Sequence, residues 1–370
     1  MRFVSTHRRL LALVAAGGTT LALAAAAPAD AHQTTPQVVA KGLDSPRHLA
    51  VSDGRVYVVE AGRGGTGPCA PHPELPGTFC FGFTGAVTRV NPWGPDKRVI
   101  TGLASISSGE DALGPSDIVF RGNTWVLSSG LGADPAYRNK FGAGGPLLAT
   151  LLTGRLGHRG FRVFADVGAN EALNNPDGTD HDSNPTGILR VGDSWYVADA
   201  GGNAIVKVSP WGTFSTVAAL PPALTTKPSP AGPPAGFPAD AVPTEVVKGP
   251  DGALYVSQLT GFPFEQGLSS IWRIAPGGQP QKWATGLTNV TDIAFGPGGH
   301  LYAVQIADKG LADPGGPIGS LVRVTPHGSS HTTIAGGLFA PYGVAFMDGS
   351  AYVSTCSVCT GGGEVLRVRL

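Results

Sequence analysis

The chain has 370 residues with 26 basic and 26 acidic side chains, and only 14% of its residues are charged. A neutral, sparsely charged chain lacks the basic stripe of a nucleic-acid binder and the polybasic patch that docks on anionic membranes. With 55 glycines and 32 prolines beside 42% hydrophobic residues, it reads as a turn-dense β protein with a core, not as a disordered chain.

Residues 1–31 carry Arg2, Arg8 and Arg9, then an apolar run over 10–27, then Ala29-Asp30-Ala31. This is the pattern of a secretory signal cleaved after Ala31. The residues after Arg8-Arg9 fit twin-arginine export poorly, so the general secretion route is expected. No later apolar run is long enough to cross a bilayer as a helix. Residues 32–370 are expected to form a single domain, a monomer without membrane attachment once the signal is removed.

One plan recurs six times and is most complete over 242–278. There Pro243-Thr244-Glu245 opens a short apolar strand, Gly249-Pro250-Asp251-Gly252 turns the chain, and 254–257 forms a second strand. After a long loop come Ile271-Trp272-Arg273-Ile274, a turn at Pro276-Gly277-Gly278 and a fourth strand at 281–284. First strands open at Pro46, Pro115, Pro185, Pro243, Val290 and Pro341, about 47 to 70 residues apart, the spacing of four-stranded blades with insertions. Second strands follow at 56–59, 124–127, 195–198, 254–257, 301–304 and 351–354. Third strands alternate apolar and basic residues at 87–90, 205–208, 271–274, 321–324 and 366–368, turning the apolar side toward a neighbouring blade. Residues 146–152 resemble a helix in isolation but occupy the third-strand place of blade two. The fold class is therefore all-β, a six-bladed β-propeller. The chain ends on a third strand, and Gln37-Val38-Val39-Ala40 has a fourth-strand pattern without a partner in its own repeat. It is expected to complete blade six and close the ring.

Turns between first and second strands are tight, whereas insertions at 62–83, 130–146, 165–184, 221–242, 259–267, 306–319 and 356–363 fall on the opposite side. Long loops on a rigid scaffold are where binding is usually built, and drift would scatter them over both faces. On that side, 169–173 reads as a short helix at the channel mouth and the proline-rich 221–243 as a stiff, solvated loop. Cys69, Cys80, Cys356 and Cys359 lie in two of these loops and are expected to oxidise in a secreted protein. Pairing 69 with 80 and 356 with 359 is favoured. Cross-pairing that staples blade one to blade six stays open.

Two registers converge on the axis. His48, Asp117, Gly187, Glu245, Asp292 and Gly343 stand two residues after each strand opening. Glu60, Ser128, Asp199, Gln258, Gln305 and Thr355 end the second strands. His48, Asp117, Glu245 and Asp292 form a candidate set for a hard cation such as Ca²⁺, or their carboxylates accept hydrogen bonds from neighbouring N–H groups and channel water. Asp199, Glu245, Gln258, Asp292 and Tyr342 are candidate ligand contacts. Phe262 and Phe264 suit an apolar or aromatic ligand, or pin their loop to the next blade. The stretch 175–185 is dense in oxygen donors and contains His181, the candidate acid–base; as Asp and Asn it equally forms turns and caps. No nucleophile elbow, phosphate loop or His-Glu-x-x-His appears.

These residues resemble the ScyD/ScyE family of secreted propellers over nearly the whole mature chain. The likeness is most specific at Asn174-Asn175-Pro176-Asp177-Gly178, Asp182-Ser183-Asn184-Pro185-Thr186-Gly187, Ala198-Asp199-Ala200-Gly201-Gly202-Asn203 and from Val242-Pro243-Thr244 to Phe262-Pro263-Phe264. Thr186 stands where the family pattern has tyrosine. A looser likeness to NHL-type and SMP-30-like six-bladed propellers lies in Val197-Ala198-Asp199 and Tyr255-Val256. The resemblance implies an exported six-bladed propeller and brings no settled activity; the namesake sunscreen pathway does not fit this Ala- and Gly-rich chain. The expectation is a protein that binds a small or extended extracellular ligand at the channel mouth of the loop-bearing face. A metal-dependent lactonase or hydrolase, a quinone-dependent sugar dehydrogenase and a structural adhesion module are the alternatives.

Overall fold

Hairpins punctuate the chain where the sequence supplies residues that tolerate positive φ. Asp53-Gly54 (φ 49° and 65°) and Asp348-Gly349 (φ 49° and 68°) place both central residues there, the geometry that matches the twist of a two-residue hairpin. A computed structural model describes residues 35–91, 94–229 and 232–370, so the expected signal segment lies outside the described residues.

Six antiparallel blades follow one another around an axis. The first strands are Pro46–Ser52, Pro115–Arg121, Pro185–Val191, Pro243–Lys248, Val290–Phe295 and Val344–Met347. The sixth begins three residues later than Pro341. Ring closure is as expected: Gln37–Leu43 pairs antiparallel with Gly363–Arg369 as the outer strand of blade six. Blade two departs from the sequence reading. Its third strand is Thr150–Arg155, because Pro135–Leu147 winds into a 3₁₀ segment and Ala149 (φ 55°) turns the chain before pairing begins. In blade one much of the expected loop is sheet, since Thr78–Arg89 and Lys97–Ser107 form a long hairpin joined by Cys69–Pro71. Cys69 lies opposite Cys80 there and bonds to it, and Cys356 bonds to Cys359, which removes the cross-blade alternative.

Each blade interface has its own apolar cluster: Val87 with Ile118, Leu151 with Ile188, Ile205 with Val246, Ile271 with Ile293, Leu321 with Val344, and Val56 with Val365. Burying each such side chain stabilises the ring by about 1.5–3 kcal/mol. Nearer the axis, polar staples carry the same task. Ser128 donates to Thr186 O, Thr244 to Val290 O (2.9 Å), Thr291 to Tyr342 O (2.6 Å) and Ser354 to Arg47 O (2.6 Å). Thr186 Oγ1 lies 3.4 Å from Pro243 O, and between blades one and two His48 Nδ1 lies 3.1 Å from Ser116 O. All six interfaces are thus pinned, which fixes the positions of the next residues along the first strands.

Candidate functional site

Those next residues are His48, Asp117, Gly187, Glu245, Asp292 and Gly343, and the strand pleat turns them toward the axis. The four larger ones are almost fully buried, at 1%, 6%, 5% and 4% exposure for His48, Asp117, Glu245 and Asp292. The two glycines make the room. A Cβ on Gly187 would sit 2.7 Å from the Glu245 carboxylate, and one on Gly343 would sit 2.7 Å from Arg47 O.

One donor atom each from His48, Glu245 and Asp292 falls within a 4.8 Å cluster. His48 Nδ1 lies 3.1 Å from Ser116 O, while Nε2 faces Glu245 Oε2 at 3.5 Å and Thr291 O at 3.3 Å. Burial lowers the His48 pKa to about 4 and, with Asp117 and Asp292, pushes Glu245 well above its usual value; with His48 neutral, this contact is no ion pair at pH 7. A neutral imidazole that donates from Nδ1 to Ser116 O leaves the Nε2 lone pair aimed at the carboxyl groups. Asp117 accepts from Ile118 N (2.7 Å) and from Ile188 N of blade three (2.9 Å), and Asp292 accepts from Val344 N of blade six (2.6 Å). The carboxylates therefore stitch blades and crowd the axis together. Burial lifts Asp117 to about 7 and Asp292 well above its usual range.

A cavity of about 290 Å³ adjoins this ring and is walled by Val119, Leu189, Val247, Phe295 and Phe346. These residues lie beyond the ring toward the tight turns, so the cavity extends to the turn side and not to the loop side. On the loop side Tyr342 packs edge-on against His48 (5.1 Å), with the Arg47 guanidinium 4.8 Å from its ring centre.

The other sequence candidates sit apart from the cavity. Gln258 Oε1 accepts from Trp272 Nε1 at 3.0 Å. Phe262 and Phe264 meet edge-on at 6.3 Å around a cis Phe262-Pro263 bond, with Phe262 half exposed and 6.5 Å from Phe237. His181 is exposed. Asp199 Oδ1 accepts from Asn184 N (2.6 Å) and its Oδ2 from Ser183 Oγ (2.9 Å), holding the segment that leads into blade three. Gln305 plays the same part for Thr288 N (2.7 Å) and Glu60 for Asp44 N (2.8 Å). Glu60, Asp199 and Gln305 of the second register thus brace the connections into the first strands of their blades.

Sequence reasoning gave Asp182 only as part of the oxygen-rich stretch 175–185 and set Glu171 in the short helix without a role at a site. Helix α1 (Val167–Asn174) brings Glu171 to 1% exposure beside Gly202, and the following segment lays Asp182 on Gly201. Burial, then Asp199 and Asp177, raise Glu171 to about 8; burial, then Glu74 and Asp199, raise Asp182 to about 8; burial raises Asp199 to about 6. The Gly201-Gly202 pair, which begins two residues after Asp199, was the available signal.

No protein-family model matches the chain, and no curated protein matches it in sequence. Among solved structures it is similar to a protein of unknown function from Bacteroides thetaiotaomicron VPI-5482 (10% identity, 90% of this chain and 72% of that one, TM-score 0.50). It is likewise similar to a glucose dehydrogenase (15% identity, 91% and 99%, TM-score 0.50) and to a protein assigned as a gluconolactonase (12% identity, 90% and 92%, TM-score 0.50). At these identities the likeness concerns the propeller fold alone.

Proposed function

We propose that this is a secreted propeller of the ScyD/ScyE type, whose channel ring holds a divalent cation and whose channel receives a small ligand with an apolar body and an oxygen donor. The observation that carries this reading is the convergence of one donor atom each from His48, Glu245 and Asp292 within 4.8 Å, with His48 Nδ1 3.1 Å from Ser116 O and so placed to donate to it. Metal-binding histidines ordinarily donate their second N–H in that way. One imidazole among carboxylates suits a Zn²⁺- or Mn²⁺-like ion better than Ca²⁺, which prefers oxygen alone. Leu189, Val247, Phe295 and Phe346 would face the ligand body while its oxygen met the cation. Export is part of the proposal: two disulfides fit an oxidising compartment, and among the described residues no helix is long and apolar enough to cross a membrane.

A second reading, lactonase-type hydrolysis at the same ring, is favoured by Asp117, a carboxyl held near neutrality beside the metal-competent trio and so suited to general-base work. The test is a Mn²⁺ titration of chelator-stripped protein followed by electron paramagnetic resonance. One saturable site, weakened at least about 100-fold in E245Q/D292N, is expected. Absence of binding, or equal binding by the double variant, would sink the proposal. Lactone turnover abolished by D117N would select hydrolysis over binding alone.

A further inference from the structure

On the loop side of blade three, three carboxylates surround one turn. Asp199 ends the second strand (Ser194–Asp199), and Gly201-Gly202 follow it. Asp182 lies so close to Gly201 that a Cβ there would meet its carboxylate oxygens at 2.6 and 2.8 Å. A Cβ on Gly202 would lie 2.6 Å from Glu171 Oε2 and 3.4 Å from the Asp182 carbonyl oxygen. The glycine pair therefore lets oxygens of both carboxylates pack directly onto the turn, where any Cβ would displace them.

What marks this as more than an acidic cluster is Glu171. Its side chain is 99% removed from solvent, and its Oε1 has no hydrogen-bond partner. Asp182 Oδ1 is likewise buried and unpartnered. Among the described residues, none of the three carboxylates forms a salt bridge. A buried, unpaired carboxylate costs several kcal/mol unless a counter-charge meets it.

We propose that Glu171, Asp182 and Asp199 bind a calcium ion over the Gly201-Gly202 turn, fastening helix α1 and the 175–184 segment to blade three. The donors are oxygens only, the preference of Ca²⁺, in contrast to the imidazole-bearing channel ring. Glu74, from the blade-one insertion, meets the Asp182 carboxyl and supplies a further oxygen from a second loop. These oxygens do not all fall within 4.8 Å of one another as the channel trio does. Ca²⁺ bonds of about 2.3–2.6 Å place opposite ligands roughly 5 Å apart and leave positions for water, so modest side-chain rotation completes the shell.

The experiment uses the full mature chain, stripped with chelator and titrated with CaCl₂ by calorimetry and by thermal unfolding. Wild type is expected to bind Ca²⁺ and to gain about 5 °C in Tm at a hundredfold excess over Kd. E171Q/D182N should bind at least about tenfold more weakly and lose the gain, whereas E245Q/D292N in the channel should keep it. Should the first double variant not fold, E171Q alone is expected to show the same loss. No Ca²⁺ response of wild type up to millimolar concentrations, or an undiminished response in E171Q, would overturn the assignment. A response lost only in E245Q/D292N would also overturn it, by placing the ion in the channel.

Discussion

Glu60 in blade one and Asp199 in blade three end the same strand of their repeats, each opposite the proline that opens the first strand. Both accept a backbone N–H from the segment leading into that strand, and both are buried, at 0% and 2% exposure. Their counter-charges differ. Arg98 reaches Glu60 at 2.6 and 3.0 Å and Asp44 at 2.9 Å, and Thr88 adds a bond of 2.6 Å to Glu60. Asp199 has Glu171 and Asp182 for neighbours and no arginine. The same backbone task is thus done by a carboxylate neutralised from within the chain in one blade, and in the other by one that must find protons or a cation outside it.

The largest expected effect comes from breaking the neutralised side. Arg98→Met should cost about 2–3 kcal/mol in urea unfolding, at or below the low end for breaking a buried pair because Arg98 is 39% exposed. Adding Glu60→Gln should recover more than half of it. In metal-free protein near pH 7, Glu171→Gln should by contrast leave stability unchanged or raised, since it replaces a buried, unpartnered carboxyl that already holds a proton with a neutral amide of similar shape. Equal losses in the two blades would erase the distinction drawn here.

A pH scan sharpens the same contrast. Glu171, Asp182, Asp199 and Asp117 all have folded pKa values above their unfolded ones, so the native state holds extra protons between pH 4 and 8. In chelator, stability is then greatest at the acid end and falls as pH rises through about 6 to 8. His48, lowered to about 4, works in the opposite sense between pH 4 and 6.5, but as one group against several. Divalent cations should flatten this profile, and a chelated protein whose Tm rises steadily from pH 5 to 8 would contradict it.

Next in size is Gly187→Ala. Its Cβ would meet Glu245 Cα at 2.6 Å and Cδ at 2.7 Å, so overpacking of about 2 kcal/mol is expected together with loss of Mn²⁺ binding. Smallest is Thr186→Val, which removes one interblade hydroxyl and should cost about 1 kcal/mol without altering Mn²⁺ affinity.

The fold was legible because prolines and tight turns mark strand openings: five of the six first strands start where the sequence places them. The axial ring was legible because position in a strand dictates which residues face inward. Three things were not. The start of the third strand in blade two was hidden because apolar residues 147–149 suit a strand as well as the end of a 3₁₀ segment. The direction of the cavity was hidden because loop length marks where insertions are tolerated, not where the channel widens. The roles of Asp199 and Gln258 were hidden because strand register gives the end of the strand at which a side chain stands, while its partner, a backbone N–H or a tryptophan indole, comes from elsewhere in the fold.

The channel ring is tested most directly by crystals of the mature chain grown with Mn²⁺ and measured at a wavelength where manganese scatters anomalously. The account predicts an anomalous peak on the axis about 2.0–2.6 Å from His48 Nε2, Glu245 and Asp292. An axis without a peak, its carboxyl groups bonded only to one another and to backbone N–H groups, would contradict it.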